Sequence, residues 1–256
     1  MTDFENSFPS TLQYHRSRLI KSPHAMFNRF EGTSPPPYSS LNLSYGVGDD
    51  PGCVAANRQR VKHTLGISIL LSARQVHGNR IYCASDIATD AEAEGYDALI
   101  TDQPGVGLLI QQADCQAILI HDPIRKVVAA IHCGWRGNAV NIIGKTIAEM
   151  RKRYHSDASS LLVAISPSLG PCCAELINYR QELPEQIHHF QERKYHFNFW
   201  AISKHQLAQA GVVPEHIDAA GICSACDRDY FSYRRTKKQG KAATGRHGSV
   251  IGLPSI

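Results

Sequence analysis

Three residues able to hold a metal or to form a reactive thiol pair, His77, Cys115 and His132, stand at the ends of short apolar runs. Gln116–His121 and Val127–His132 are two of those runs. Asp122-Pro-Ile-Arg-Lys126 separates them as a loop, which predicts a β-hairpin. With His121 paired near Val127, Gln116 faces His132 and Cys115 lies beside it. Facing residues of an antiparallel ladder are about 4.5–5.5 Å apart at Cα, so the hairpin brings a thiol and an imidazole together. Two chemistries use such a pair. Thiolate and imidazole are zinc ligands, and a catalytic zinc site takes three protein ligands; His77, at the end of an earlier strand, supplies the third. In the other chemistry, His132 draws the proton from Cys115, a nucleophile. Asp114 and Gln75 are neighbouring polar groups able to orient ligands or substrate. Taken singly, the plainer reading is a buried small cysteine and a surface histidine.

Gly134-Trp-Arg-Gly137 links the second hairpin strand to a helix N-terminus, where free backbone N–H groups and the helix dipole favour an anion. Arg136 is placed to add a bidentate contact to phosphate or carboxylate; the plain alternative is a glycine turn with a surface arginine. Cys223-x-x-Cys226 with Cys172-Cys173 could make a structural four-cysteine zinc site. Adjacent cysteines count against it, because neighbouring side chains in a strand point apart. Tyr233-Arg-Arg235 and Thr244-Gly-Arg-His247 are either solvated loops or polar-ligand loops, and His188-His189 reads as surface.

These residues need elements to position them. Residues 1–22 read as a strand or arm, and Thr33-Ser-Pro-Pro-Pro-Tyr38 as a stiff loop. Val54–Leu65 predicts a helix, Ser68–Val76 a strand ending at His77-Gly78-Asn79, and Gly105–Gln112 another strand. One helix is expected from about Asn138 to Tyr154, with Ile142, Ile143, Ile147 and Met150 on one stripe and Arg151–Arg153 at its C-terminal end. Leu161–Ile165, Ala219–Cys223 and Ser249–Leu253 read as strands, and Phe199–Ala210 as a helix. Strands and helices alternate without a strict βαβ rhythm, which predicts an α/β (α+β) fold with mixed sheets. Without repeats or low-complexity linkers, residues 1–256 are expected to form a single domain.

The chain has 256 residues, 43% hydrophobic, with a formal net charge of +4, enough for a well-buried core. Its basic residues are scattered apart from Arg234, Arg235, Lys237, Lys238 and Lys241, and form no nucleic-acid recognition motif. A small anionic substrate fits the charge equally well. There is no apolar run of membrane-spanning length and the polar N-terminus lacks a signal-peptide pattern. A cytoplasmic location is therefore expected, where the eight cysteines remain thiols or metal ligands.

At the same residues the chain resembles a known family. Gln75-Val-His-Gly78, Ala113-Asp-Cys115, His132-Cys-Gly-Trp-Arg-Gly137, Pro167-Ser-Leu-Gly-Pro-Cys172 and Phe231-Ser-Tyr-Arg-Arg235 look like successive signatures of the bacterial YfiH-like family. Ser40-Leu-Asn-Leu43, Gly48-Asp-Asp50, Asn57-Arg58 and Thr244-Gly-Arg246 also match, so the resemblance runs from about residue 24 to the end. The family has been called multicopper polyphenol oxidase (laccase), purine nucleoside phosphorylase and peptidoglycan editing factor. Departures include Cys133 in place of Ala, Ser166 in place of Gly, and Ala174 in place of an aromatic residue.

The resemblance implies a layered α/β/β/α sandwich similar to the cytotoxic necrotizing factor catalytic domain, and zinc at His77, Cys115 and His132. It implies phosphorolysis of adenosine, inosine, guanosine and methylthioadenosine, together with adenosine deamination. Cys115, His132 and Asp114 are then the expected catalytic groups. Arg136, Arg58, Gln75 and Asn42 are the expected substrate or phosphate contacts. The expected partners are a small nucleoside and phosphate, with no nucleic acid or membrane; the oligomeric state is open. An alternative is an amide hydrolase acting on a wrongly built peptidoglycan precursor, by metal-activated water or Cys115. A copper oxidase is a third reading: copper is possible at one Cys and two His, but none of the 13 histidines forms the His-x-His pairs of a multicopper cluster. A metal-storing or partner-binding protein is the non-enzymatic alternative.

Overall fold

A computed structural model describes residues 11–255, so residues 1–10 of the expected N-terminal arm lie outside the described residues, while its later part carries a short strand. One six-stranded sheet runs in the order β1 (Tyr14–His15), β2 (His24–Phe27), β14 (His247–Gly252), β7 (Val106–Gln112), β3 (Ile69–Arg74) and β5 (Ala91–Glu94). The second runs β13 (Ile217–Ala219), β10 (Leu162–Ile165), β8 (Gln116–Asp122), β9 (Val127–Cys133), β6 (Ala98–Thr101) and β4 (Ile81–Ala84). A small ribbon pairs β11 (Gln191–Arg193) with β12 (His196–Phe197). The helices are α1 (Pro51–Leu65), α2 (Trp135–Ala139), α3 (Ile142–Tyr154), α4 (Tyr179–Glu182), α5 (Phe199–Gln209) and α6 (Tyr233–Lys238).

Both sheets are mixed. In the first, β3 runs parallel to β5 and β7 while β14 is antiparallel to β2 and β7. In the second, β8 and β9 form the central antiparallel hairpin. The strands are apolar on both faces because both faces are covered. Ala117, Leu119, Val128 and Ala130 meet Leu108, Ile110, Leu71 and Ile251 between the sheets. Ile118, Ile120, Ala129 and Ile131 pack outward on Ile142, Ile143, Ile147 and Met150 of α3. Leu70, Leu109 and Val250 of the first sheet pack outward on Val61 of α1. The expected α/β/β/α layering and mixed sheets are observed. No helix among the described residues is long and apolar enough to cross a membrane.

Several boundaries differ from expectation for local reasons. Helix α1 begins earlier, at Pro51, because Asp50 caps it by accepting from the Cys53 N–H; Pro at the first helical position costs no hydrogen bond. The single helix expected from Asn138 is two: Asn141 adopts a left-handed conformation (φ 51°) and its side chain caps α3 by accepting from Gly144 N. The strand expected over Ala219–Cys223 is β13, Ile217–Ala219, which ends before the left-handed Gly221 (φ 65°). The hairpin register is one residue off the expected one: Asp122 pairs with Val127, so Ala117, not Gln116, faces His132. Asp122 closes the strand and also turns the loop, accepting from Ile124 N and Arg125 N at 2.9 Å each.

Candidate active site and metal centre

The corrected register is what puts the thiol and the imidazole on one side. Cys115 precedes Ala117 by two positions, and Ala117 faces His132. Side chains two apart share a face, whereas a one-residue slip would have set these two on opposite faces. Ala113-Asp114-Cys115 is also the link that carries the chain from β7 of one sheet to β8 of the other. Asp114 takes a positive φ of 93° there, and its neighbours hold it. Its carboxylate accepts from Ser224 Oγ at 2.8 Å and Arg234 N at 2.6 Å, and its carbonyl accepts from Leu169 N at 2.7 Å. His77 lies in the turn after β3, with φ 60°.

The ligand atoms of His77, Cys115 and His132 all lie within 4.8 Å of one another. Cys115 Sγ is 3.8 Å from His77 Nε2, and the two imidazoles meet edge to face with centroids 4.7 Å apart. His132 is buried and His77 exposed, so the cluster opens to solvent on one side. Gly134 makes the room: a Cβ there would come within 2.7 Å of Cys115 Sγ and 3.6 Å of the His77 ring.

Asp97, which the sequence reading missed, organises the group. It is fully buried, directly before β6. Its Oδ1 accepts from His132 Nδ1 at 2.8 Å and from His77 N at 2.9 Å; its Oδ2 accepts from Gly78 N at 2.7 Å. That bond leaves His132 Nε2 to face the cleft. Burial pushes the Asp97 carboxyl up, but His132 and the two N–H groups outweigh it and hold it below the usual range. Burial likewise opposes charge on Cys115 and His132. Each favours the other's charged form more strongly, which pulls the thiol down to about 6 and lifts the imidazole to about 9. The only outward sign of Asp97 in the sequence is a carboxylate directly before the apolar run Ala98–Ile100.

The cluster forms part of the wall of a cleft of about 1050 Å³, whose lining includes Tyr45, Trp135, Arg136, Tyr233, Lys237 and Arg246 together with the carboxylates Glu92, Glu94 and Glu175. Arg136 is exposed, with its guanidinium 4.1 Å above the Trp135 ring. Gln75 reaches the cleft but is locked in a two-way pair with the Gln111 backbone, at 2.7 and 2.8 Å. Arg58 and Asn42 are not brought to the cleft lining. Arg58 is buried, donating to Leu43 O, Ser72 Oγ and Glu92. Asn42 is buried too, tying Ser44, Asp49 and the Arg246 N–H together. Arg246, in one of the Gly- and Arg-containing loops, does line the cleft.

A thiol and two imidazoles with one open side fit an ion such as zinc, three protein ligands leaving a position free. His77, Cys115 and His132 are the residues that would hold it. A single copper fits the same donors. Among the described residues the only other donor group of this kind is Cys172, Cys173, Cys223 and Cys226. The objection to that group from sequence does not hold, because Cys172 and Cys173 lie in a turn, not a strand.

Comparison with known proteins agrees with the fold and the motifs. The family model described as multi-copper polyphenol oxidoreductase laccase matches residues 23–254, and the chain belongs to that family. The purine nucleoside phosphorylase of Corynebacterium glutamicum is 32% identical over 235 residues, covering 88% of this chain and 92% of that protein. The purine nucleoside phosphorylase of Deinococcus radiodurans is 34% identical, covering 93% of this chain and 92% of that one. The crystal structure of YlmD from Geobacillus stearothermophilus superposes with a TM-score of 0.83 at 29% identity, covering 96% of this chain and all 100% of the other.

Proposed function

We propose that this chain is a zinc-dependent purine nucleoside enzyme. It would phosphorolyse adenosine, inosine, guanosine and methylthioadenosine and deaminate adenosine, within the cytoplasm. The observation that carries this reading is the convergence of His77, Cys115 and His132 on the wall of a cleft whose lining also holds Arg136, Arg246, Tyr45 and Trp135. Relatives named purine nucleoside phosphorylase support the general class of that reading. When bound, a zinc ion supplies Lewis acidity and brings the pKa of water toward ~7, which suits deamination.

The chain's own groups supply the rest. Asp97 keeps a proton on His132 Nδ1 and so turns Nε2 toward the substrate. Arg136 and Arg246 supply positive charge for phosphate, and the adjoining Trp135 and Tyr45 offer faces on which a purine stacks. In phosphorolysis a phosphate oxygen bonds to C1′, the C1′–N9 bond breaks, and the base leaves with the electron pair and takes up a proton.

A second reading has its own support. Asp97, His132 and Cys115 stand in the order of an orienting carboxylate, a base and a nucleophile, the arrangement of a thiol amide hydrolase. One assay separates the readings. Zinc-loaded protein is incubated with adenosine, with and without phosphate, and adenine is resolved from inosine. Adenine formed only with phosphate means phosphorolysis; inosine means deamination. If neither adenine nor inosine forms, the nucleoside reading is overturned, and loss of amidase activity on alkylating Cys115 in metal-free protein would then favour the thiol. Arg136→Ala is expected to raise the KM for phosphate about tenfold or more, as loss of a charged hydrogen bond does.

A further inference from the structure

We propose that Cys172, Cys173, Cys223 and Cys226 form a second metal site, which takes a structural zinc ion and joins the two turns that hold Asp114. The four sulfurs lie within 4.8 Å of one another. Cys226 Sγ is 3.6 Å from both Cys172 Sγ and Cys173 Sγ. Sulfurs bound tetrahedrally at about 2.3 Å from zinc are about 3.8 Å apart along each edge. The spacing is that of a tetrathiolate shell, and well beyond the roughly 2.05 Å of a disulfide.

The backbone is folded to aim four side chains inward. Cys173 N and Ala174 N both donate to Gly170 O, which winds the 170–174 turn tightly enough to point adjacent cysteines at one place. Cys226 N and Asp227 N both donate to Cys223 O, closing the second turn. Gly170 N donates to Cys223 Sγ at 3.3 Å, a bond that a thiolate accepts better than a thiol. Glycine is needed at 170, since a Cβ there would meet the Trp200 ring at 2.7 Å and Cys223 Cβ at 3.0 Å. Cys172 and Cys226 are exposed, which gives an ion a way in.

Four cysteines complete a tetrahedral shell and leave no position for substrate, so the role is structural. What the ion would secure is specific. Leu169, beside the first turn, donates to Asp114 O, and Ser224, inside the second, donates to Asp114 Oδ1. Ser168 N to Ile222 O and Ser224 N to Ser168 O, both 3.0 Å, already stitch the turns together. The metal would close the same junction from the solvent side, and Asp114, which the two turns hold, directly precedes Cys115.

The test is metal stoichiometry and cobalt spectroscopy on the full chain. Wild-type protein reconstituted with zinc is expected to hold two ions per chain. His77→Ala is expected to lose one of them and still show, with cobalt, the intense thiolate-to-metal absorption of a tetrathiolate site. Cys223→Ser and Cys226→Ser are expected to lose that absorption and one ion. If the cysteine variants fail to fold, the His77→Ala cobalt spectrum decides alone. A single ion in the wild type that His77→Ala removes entirely would overturn the proposal. So would a peptide map showing Cys226 joined by a disulfide to Cys172 or Cys173 in protein isolated without oxidant and treated with zinc.

Discussion

One buried carboxylate, Asp97, accepts from the His132 ring and from the backbone of the turn that carries His77. Two of the three candidate ligands therefore depend on it. Asp97→Asn keeps the shape but removes the charge and half of the acceptor capacity. Zinc affinity and kcat/KM are each expected to fall about 10- to 100-fold, as on loss of a partner orienting a ligand; a chelator competition and a steady-state assay read the two. Unchanged values would make Asp97 a fold residue only. A second consequence is pH-dependent. In metal-free protein the Cys115 thiolate is favoured by the protonated His132, with the thiol at about 6 and the imidazole at about 9. Alkylation of the Cys115 peptide is thus expected to proceed at full rate at pH 7. It should be lost as pH falls through about 6, whereas an ordinary thiol is already mostly protonated below ~8.5. Asp97→Asn weakens the imidazolium and should move that midpoint upward; mass spectrometry of the labelled peptide reads it.

At the scale of elements, the three ligands were legible in the sequence because each ends an apolar run, and strand ends are where short runs stop being buried. The register was not legible, because Asp122 is at once the last strand residue and the cap of the turn. The break at Asn141 was hidden for a similar reason: the apolar stripe continues across it, and only the left-handed backbone, unusual outside glycine, reveals two helices. The adjacent cysteines misled because a turn obeys neither the strand nor the helix rule for side-chain direction. The junction of β9 and α2 gives the element-scale prediction. Gly134 allows Cys115 and His77 to approach there. Gly134→Ala should push the Cys115 sulfur aside, lowering bound zinc and activity at least tenfold. Helical content and the unfolding midpoint should change little, since Gly134 precedes the helix with an extended backbone that alanine accepts. Full zinc occupancy in Gly134→Ala, measured by elemental analysis, would show that the clearance is not needed.

At the scale of the molecule, the candidate ligands come from both sheets. His77 follows β3 of the first, His132 belongs to β9 of the second, and Cys115 lies on the link between β7 and β8. Between those sheets lies a shared apolar layer built by Leu108, Ile110, Leu119, Val128 and Ala130. Separating the sheets would therefore both expose this layer and scatter the ligands, which couples metal binding to global unfolding. An ion that binds only the folded chain adds about 2.7 kcal/mol at a free concentration of 100 times its Kd. For a chain of this size that is a rise in Tm of roughly 5–10 °C. Thermal unfolding is expected as one transition that moves upward with added zinc. His77→Ala, whose side chain is exposed and supports no core packing, should start from nearly the wild-type metal-free Tm and lose the part of the rise due to this site. A zinc-independent Tm in the wild type, or an identical rise in His77→Ala, would mean that no ion bridges the two sheets at these residues.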